Sequence, residues 1–182
     1  MTNKQLYANI EKILPKDQIF TDEILRLVKG TDAGLYRLVP KVVVKVDSEA
    51  EVTRLLTFCN TKKVPLTFKA GGTSLSGQTI SDSLLMEIGQ GFEFSSITDR
   101  GHTATFGCGL TGTAANRMLM RYKRKLGPKP ASIDSAKIGG IIANNSSGMN
   151  YGIKHNCYHT VKSMRIIFAD GSLLDTGDKE SC

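Results

Sequence analysis

Apolar positions along the chain fall into runs of two periods. Leu6, Ile10, Ile13 and Leu14 recur at helical spacing before Pro15, and Ile24, Leu25 and Val28 repeat the spacing before Gly30. Residues 3–29 are therefore predicted as two helices. The β-branched run Val42–Val46 predicts a buried strand. Ser48 and Glu51 form an S-x-x-E capping box, in which each side chain satisfies a backbone donor near the other. The helix it opens puts Val52, Leu55, Leu56 and Cys59 on one face. Residues 64–68 read as a second strand, and strand–helix–strand order predicts a parallel pair with a crossover helix. Leu84–Ile88 and Thr103–Phe106 read as further strands. Thr111 or Thr113 caps a helix expected to run to Leu126, where Gly127-Pro128 stops it. Residues 161–168 predict a last strand, followed by an Asp170-Gly171 turn.

At 182 residues the chain has room for one domain or two small ones. Its 40% hydrophobic and 23% charged residues are ordinary for a folded domain and exclude a disordered chain. No apolar run approaches the roughly 18 residues of a membrane span, and the first residues lack the apolar core of a signal peptide. A cytoplasmic protein is the expectation. Four cysteines stand far apart with no C-x-x-C pair, against both a zinc ribbon and a disulfide scaffold. The net charge of +7 suits an anionic partner, phosphorylated cofactors included.

Glycine changes the picture, because most of the 18 gather in three places. Lys69, Ala70, Gly71, Gly72, Thr73, Ser74, Leu75, Ser76, Gly77 and Gln78 follow a strand with no helical or strand period. Successive backbone N–H groups and small hydroxyls in such a loop form a concave nest for phosphate oxygens; the alternative is a flexible turn. The G-x-x-x-x-G spacing of Gly72 and Gly77 is followed by Gln78 where a P-loop has lysine, which disfavours a nucleoside triphosphatase.

The second cluster, Gly107-Cys108-Gly109-Leu110-Thr111-Gly112, spells the dinucleotide fingerprint G-x-G-x-x-G. A true fingerprint needs a second strand near residues 127–135, and the two prolines there forbid a central one. A tight strand-to-helix turn with close-packed glycines is the expected use. The third cluster, residues 130–152, is poor in large side chains. Its ordering entropy needs compensation, which a ligand touching main chain, Ser and Asn groups supplies; a surface loop is the alternative. His155, Cys157 and His159 lack further ligands at metal-binding spacing, and the basic run from Arg117 to Lys129 reads as a solvated helix face.

The first and third clusters together resemble the FAD-binding domain of the vanillyl-alcohol oxidase and p-cresol methylhydroxylase flavoproteins, from Asp32 to Gly171. The segments that carry the resemblance are KAGGTSLSGQ, PASIDSAKIGG, NNSSGMNYG and MRIIFADG. Within that family the chain is similar to D-lactate dehydrogenases and glycolate oxidase flavin subunits, some of them fused to iron–sulfur domains. The resemblance implies an α+β fold of two subdomains: a small parallel β-α-β unit, and a mixed or antiparallel sheet with flanking helices. The expected division is residues 1–89 and 90–182.

By the same resemblance, residues 69–78 hold the pyrophosphate of FAD. Ala131, Ser132, Ser135 and Lys137 line the cofactor, and Gly139 and Gly140 let the chain pass close to it. Asn144, Asn145, Ser146, Ser147 and Gly148 run alongside the flavin. Attachment is expected to be non-covalent, since the loop 69–78 has neither His nor Cys. The implied reaction is oxidation of a D-2-hydroxy acid to the keto acid with hydride transfer to FAD. The implied partners are that acid, a substrate domain later in the same polypeptide and an iron–sulfur electron acceptor, with no nucleic acid and at most a peripheral membrane contact. The tail DTGDKESC reads as a cut end, which leaves the catalytic groups outside these residues. Two other readings stay open: an alkyl-dihydroxyacetone-phosphate synthase type of flavoenzyme, and a basic nucleic-acid-binding module.

Overall fold

A computed structural model describes residues 2–149, 152 and 154–178. Contacts group the chain into two units, one built from residues 2–88 with 163–178 and the other from residues 89–162.

The first unit is organised by a four-stranded sheet. Its strands are β1 (Ile19–Phe20), β2 (Val42–Val46), β3 (Leu66–Lys69) and β4 (Leu84–Ile88), in the order β1-β2-β4-β3. β2 and β3 each run parallel to β4, and β1 adds an antiparallel edge to β2. Val42, Val43, Val44 and Val46 are all fully buried, as a strand covered on both faces requires. The expected pairing of β2 with β3 is thus corrected: β4 lies between them, and the crossover helix spans two strand positions instead of one.

Helices α1 (Asn3–Ile10), α2 (Glu23–Lys29) and α3 (Glu49–Lys62) accompany the sheet. α3 buries Val52, Leu55, Leu56 and Cys59, the face its period predicts. Ser48 Oγ accepts from the Glu51 N–H at 3.3 Å, but the Glu51 carboxylate reaches one residue further back, to the Asp47 N–H at 2.7 Å. The cap is formed, and its return arm is displaced by one residue.

The second unit carries a hairpin of β5 (Ser95–Thr98) and β6 (Thr103–Phe106), then helices α4 (Gly112–Met120), α5 (Ile138–Ala143) and α6 (Cys157–Thr160). Leu110, Ala115 and Ile138 form one apolar cluster here, and Ala136, Ile141 and Cys157 another. α4 stops at Met120 and not at Leu126, because Lys123 takes a left-handed conformation (φ 55°) and the Arg124 N–H turns back to the Leu119 carbonyl. The side chain of Asn116 then accepts from the Leu126 N–H at 2.7 Å, which ties the chain beyond the helix to its flank.

The chain returns to the first unit with a hairpin of β7 (Arg165–Ile167) and β8 (Leu173–Asp175), turned at Asp170-Gly171. Arg165 holds it to α3 through the Glu49 carboxylate at 2.9 Å, and a Cβ on Gly171 would stand 3.2 Å from Thr53 and Thr57. Residues 163–178 therefore group with residues 2–88, a return that the division at residue 89 does not anticipate. The tail at 179–182, Cys182 included, lies outside the described residues.

Candidate functional site

The loop after β3 begins with a buried lysine. Lys69 ends the strand with 7% exposure, and its Nζ donates to the Lys29 carbonyl at 2.7 Å and the Thr31 carbonyl at 2.5 Å. Gly72 then takes a left-handed turn (φ 64°) directly over that side chain, since a Cβ there would lie 2.8 Å from Lys69 Cε. Gly77 closes the loop with φ 77°. Two left-handed positions are what glycine permits at low cost, so the sequence alone can build this curve.

Among the described residues, no protein group accepts from the backbone N–H groups of Gly71, Gly72, Thr73, Ser74 or Leu75. The Ser76 N–H is taken by the Gln78 side chain at 3.2 Å. Five successive donors are left for another acceptor, in a turn whose Gly72 has no room for a side chain. That is the chemistry an anion with several oxygens requires.

Residues 31–37 support the loop from one side. The Gly34 N–H donates to Asp32 Oδ1 at 2.8 Å, and a Cβ on Gly34 would meet the Leu75 carbonyl at 2.5 Å. Asp32 Oδ2 is buried with no hydrogen-bond partner, as is Thr79 Oγ1. Neither Asp32 nor the buried role of Lys69 stood out in the sequence. A lone lysine closing an apolar strand is the one signal that pointed there.

In the second unit, residues 130–148 are more ordered than their composition predicts. The Ile133, Ser135 and Ala136 N–H groups bond back to the Pro130 and Ser132 carbonyls, and the chain then enters α5. Lys137 stands at the head of that helix and pairs with Glu93 at 3.6 Å. Ala131 and Ser135 are exposed, and Ser132 is partly so. Gly139 packs on Cys108, where a Cβ would come within 2.9 Å of the cysteine Cβ. Gly140 has no neighbour within 4 Å of such a Cβ, so of the pair it alone presents open backbone.

Asn144 is exposed, with its side-chain amide on the Gly140 carbonyl at 3.1 Å. Asn145 adopts φ 47°, and its Oδ1 accepts from the Tyr158 N–H at 3.4 Å. The Ser146 N–H bonds the Ile141 carbonyl, and Ser147 Oγ donates to the Asn145 carbonyl. Gly148 (φ 81°) lies against Lys129, whose carbonyl a Cβ would overlap at 2.0 Å. Its glycine serves the chain's own packing. Asn150 and Tyr151, which close this segment, lie outside the described residues.

The fingerprint-like glycines belong to packing too. The Gly112 and Thr113 N–H groups at the head of α4 donate to the Ala136 and Ile133 carbonyls, and Thr111 Oγ1 takes the Ala114 N–H. The donors that a dinucleotide phosphate uses are already spent. Cys157 is 1% exposed, and its thiol donates to the Ile141 carbonyl at 3.3 Å; burial pushes its pKa up.

A family profile described as an FAD binding domain matches residues 40–177, and the chain belongs to that family, in its p-cresol methylhydroxylase type. The chain is 29% identical to a D-lactate dehydrogenase of Archaeoglobus fulgidus over 180 residues, 96% of this chain and 38% of that protein. It is 28% identical to the glycolate oxidase subunit GlcD of Bacillus subtilis, over 85% of this chain and 33% of the relative. It thus spans about a third of each of these two curated relatives. Among solved structures, an alkyldihydroxyacetonephosphate synthase superposes with a TM-score of 0.79 at 20% identity, covering 97% of this chain and 37% of that one. A BBE-like 1 protein of Physcomitrella patens superposes at 0.76 and 17% identity, covering 97% and 38%. Both likenesses are of fold. Among the described residues, no helix is long and apolar enough to cross a membrane.

Proposed function

We propose that this chain is the FAD-binding part of an enzyme that oxidises a D-2-hydroxy acid, of the D-lactate or glycolate type, to its keto acid. The observation that carries the reading is the run of unspent backbone donors from Gly71 to Leu75 over a left-handed Gly72, in a chain of the FAD binding domain family. These groups fit a diphosphate: donors without competing acceptors and no side chain on Gly72, in a chain of net charge +7. FAD, when bound, supplies a two-electron acceptor for the hydroxy acid.

In this reading the residues 69–78 bind the pyrophosphate through main chain and the Thr73, Ser74 and Ser76 hydroxyls. In the second unit, Ala131, Ser132, Ser135 and Lys137 contribute backbone and polar side chains. Gly140 offers bare backbone, and Asn144, Asn145, Ser146 and Ser147 offer amide and hydroxyl groups. None of the loop residues 69–78 is a His or Cys, which supports non-covalent attachment. The hydroxy-acid reading is supported by the D-lactate dehydrogenase and glycolate oxidase relatives. A substrate domain, an electron-accepting iron–sulfur partner and a cytoplasmic location belong to the same proposal.

The test is dye reduction by the complete protein with D-lactate, L-lactate and glycolate. Reduction with a D-2-hydroxy acid or glycolate is expected. A flavin-loaded protein that reduces no acceptor with any of them, yet exchanges the acyl group of an acyl-dihydroxyacetone phosphate, would replace the dehydrogenase reading with the synthase one. Yellow colour that stays in the pellet after acid precipitation would contradict non-covalent binding.

A further inference from the structure

We propose that Lys69 is a positioning residue whose buried ammonium, clamped between the Lys29 and Thr31 carbonyls beneath Gly72, holds the glycine loop in its curve and puts a positive charge under the bound diphosphate. This rests on the FAD reading above and goes beyond it by naming the cation of a site whose P-loop-like spacing lacks one.

The geometry is specific. A Cβ built on Gly72 falls 2.8 Å from Lys69 Cε and 3.7 Å from Nζ, so the charge sits just under the turn that presents the free N–H groups. The two carbonyl bonds, at 2.7 and 2.5 Å, tie residues 29–31 to the base of the loop. Gly34, three residues on, packs against the Leu75 carbonyl, so one ammonium fixes both the start of the loop and the segment that braces its far side. The lysine contacts no outer surface, being 7% exposed, and acts on an anion through the loop rather than by reaching around it.

The charged groups facing Lys69 come from three elements. Glu87 on β4 and Asp32 in the bracing segment favour its charge, whereas Lys29 at the end of α2 opposes it, and Lys29 itself pairs with Glu87 at 2.8 Å. Burial is the largest influence and lowers the Lys69 pKa below its ordinary value, even against the two carboxylates. A lysine lowered in the free protein loses charge as pH rises through that pKa. An adjacent diphosphate favours the ammonium and raises the pKa again. Binding must then take up protons in the window between the two values.

The experiment is calorimetric titration of the complete protein, freed of its flavin, with FAD in two buffers of different ionisation enthalpy, from about pH 7 to pH 9.5, for the parent, Lys69→Met and Lys69→Arg. Expected for the parent is net proton uptake that grows as pH rises across this range. Lys69→Met is expected to bind FAD roughly 10–100-fold more weakly and without that uptake, and Lys69→Arg to recover most of the affinity. Circular dichroism of the free proteins checks the fold. If Lys69→Met does not fold, the parent's proton uptake decides alone, because it needs no variant. A parent that binds FAD with no uptake at any pH, or a folded Lys69→Met that binds as the parent does, overturns the role of Lys69 and leaves the FAD reading standing. A parent that binds no FAD overturns the FAD reading, and this inference with it.

Discussion

Single glycines meet different neighbours in this chain. Gly72 and Gly148 both have positive φ, but the Gly72 turn overlies the Lys69 side chain whereas Gly148 abuts the Lys129 backbone. Gly148→Ala is therefore expected to cost about 1–3 kcal/mol of stability, read as a lower thermal midpoint, through strain and a clash no rotamer relieves. Gly140→Ala should do the opposite to the free protein, stabilising it by roughly 0.5 kcal/mol in an open helical position. If FAD approaches Gly140, the same variant binds FAD more weakly. A variant that is neither more stable nor weaker in binding would remove Gly140 from the site. Cysteines add an independent check on burial. Burial pushes the Cys59 thiol up to about 11, and Cys157 is raised too, so neither should react with Ellman's reagent at about pH 8 until the chain unfolds. Fast labelling of either in the native chain would contradict the packing described for α3 and α6.

Periodic elements were legible in the sequence, and short ones were not. α3 was readable because its cap and four apolar positions agree, and β2 and β4 because each has three successive apolar residues and a fourth after a single charged one. β1 has two residues, β8 three and α6 four, too few to show any period, whereas β7 lies within the strand expected at 161–168 and is shorter than expected. The glycine loop was legible as a loop, but its direction was not. That Lys69 turns inward depends on carbonyls some 40 residues earlier in the chain, which no local pattern reports. The G-x-G-x-x-G match shows the converse, a motif present in letters whose donors tertiary contacts have taken. α3 gives the element-scale expectation. Leu55→Ala removes a fully buried side chain and should cost about 2–5 kcal/mol, while Ser48→Ala should cost about 1 kcal/mol through the lost cap. Equal effects in urea titrations of the two would show that α3 does not pack as described.

At the scale of the molecule, the chain is a family domain that covers about a third of the D-lactate dehydrogenase and glycolate oxidase relatives. A candidate binding loop lies in each of two compact units. The 182 residues by themselves are therefore expected to show no turnover of D-lactate, L-lactate or glycolate with excess FAD, and to hold flavin more weakly than the complete protein does. Robust dye reduction would place a complete active site within them. The central claim is narrower, that the glycine loop after β3 receives the diphosphate of FAD. The most direct measurement is parallel titration of the chain with FAD, FMN and NAD+ under one set of conditions. FMN has the flavin without the diphosphate bridge, and NAD+ has the bridge without the flavin. The account predicts that FAD binds most tightly of the three. Binding of NAD+ more tightly than FAD, or of FMN as tightly as FAD, would contradict it.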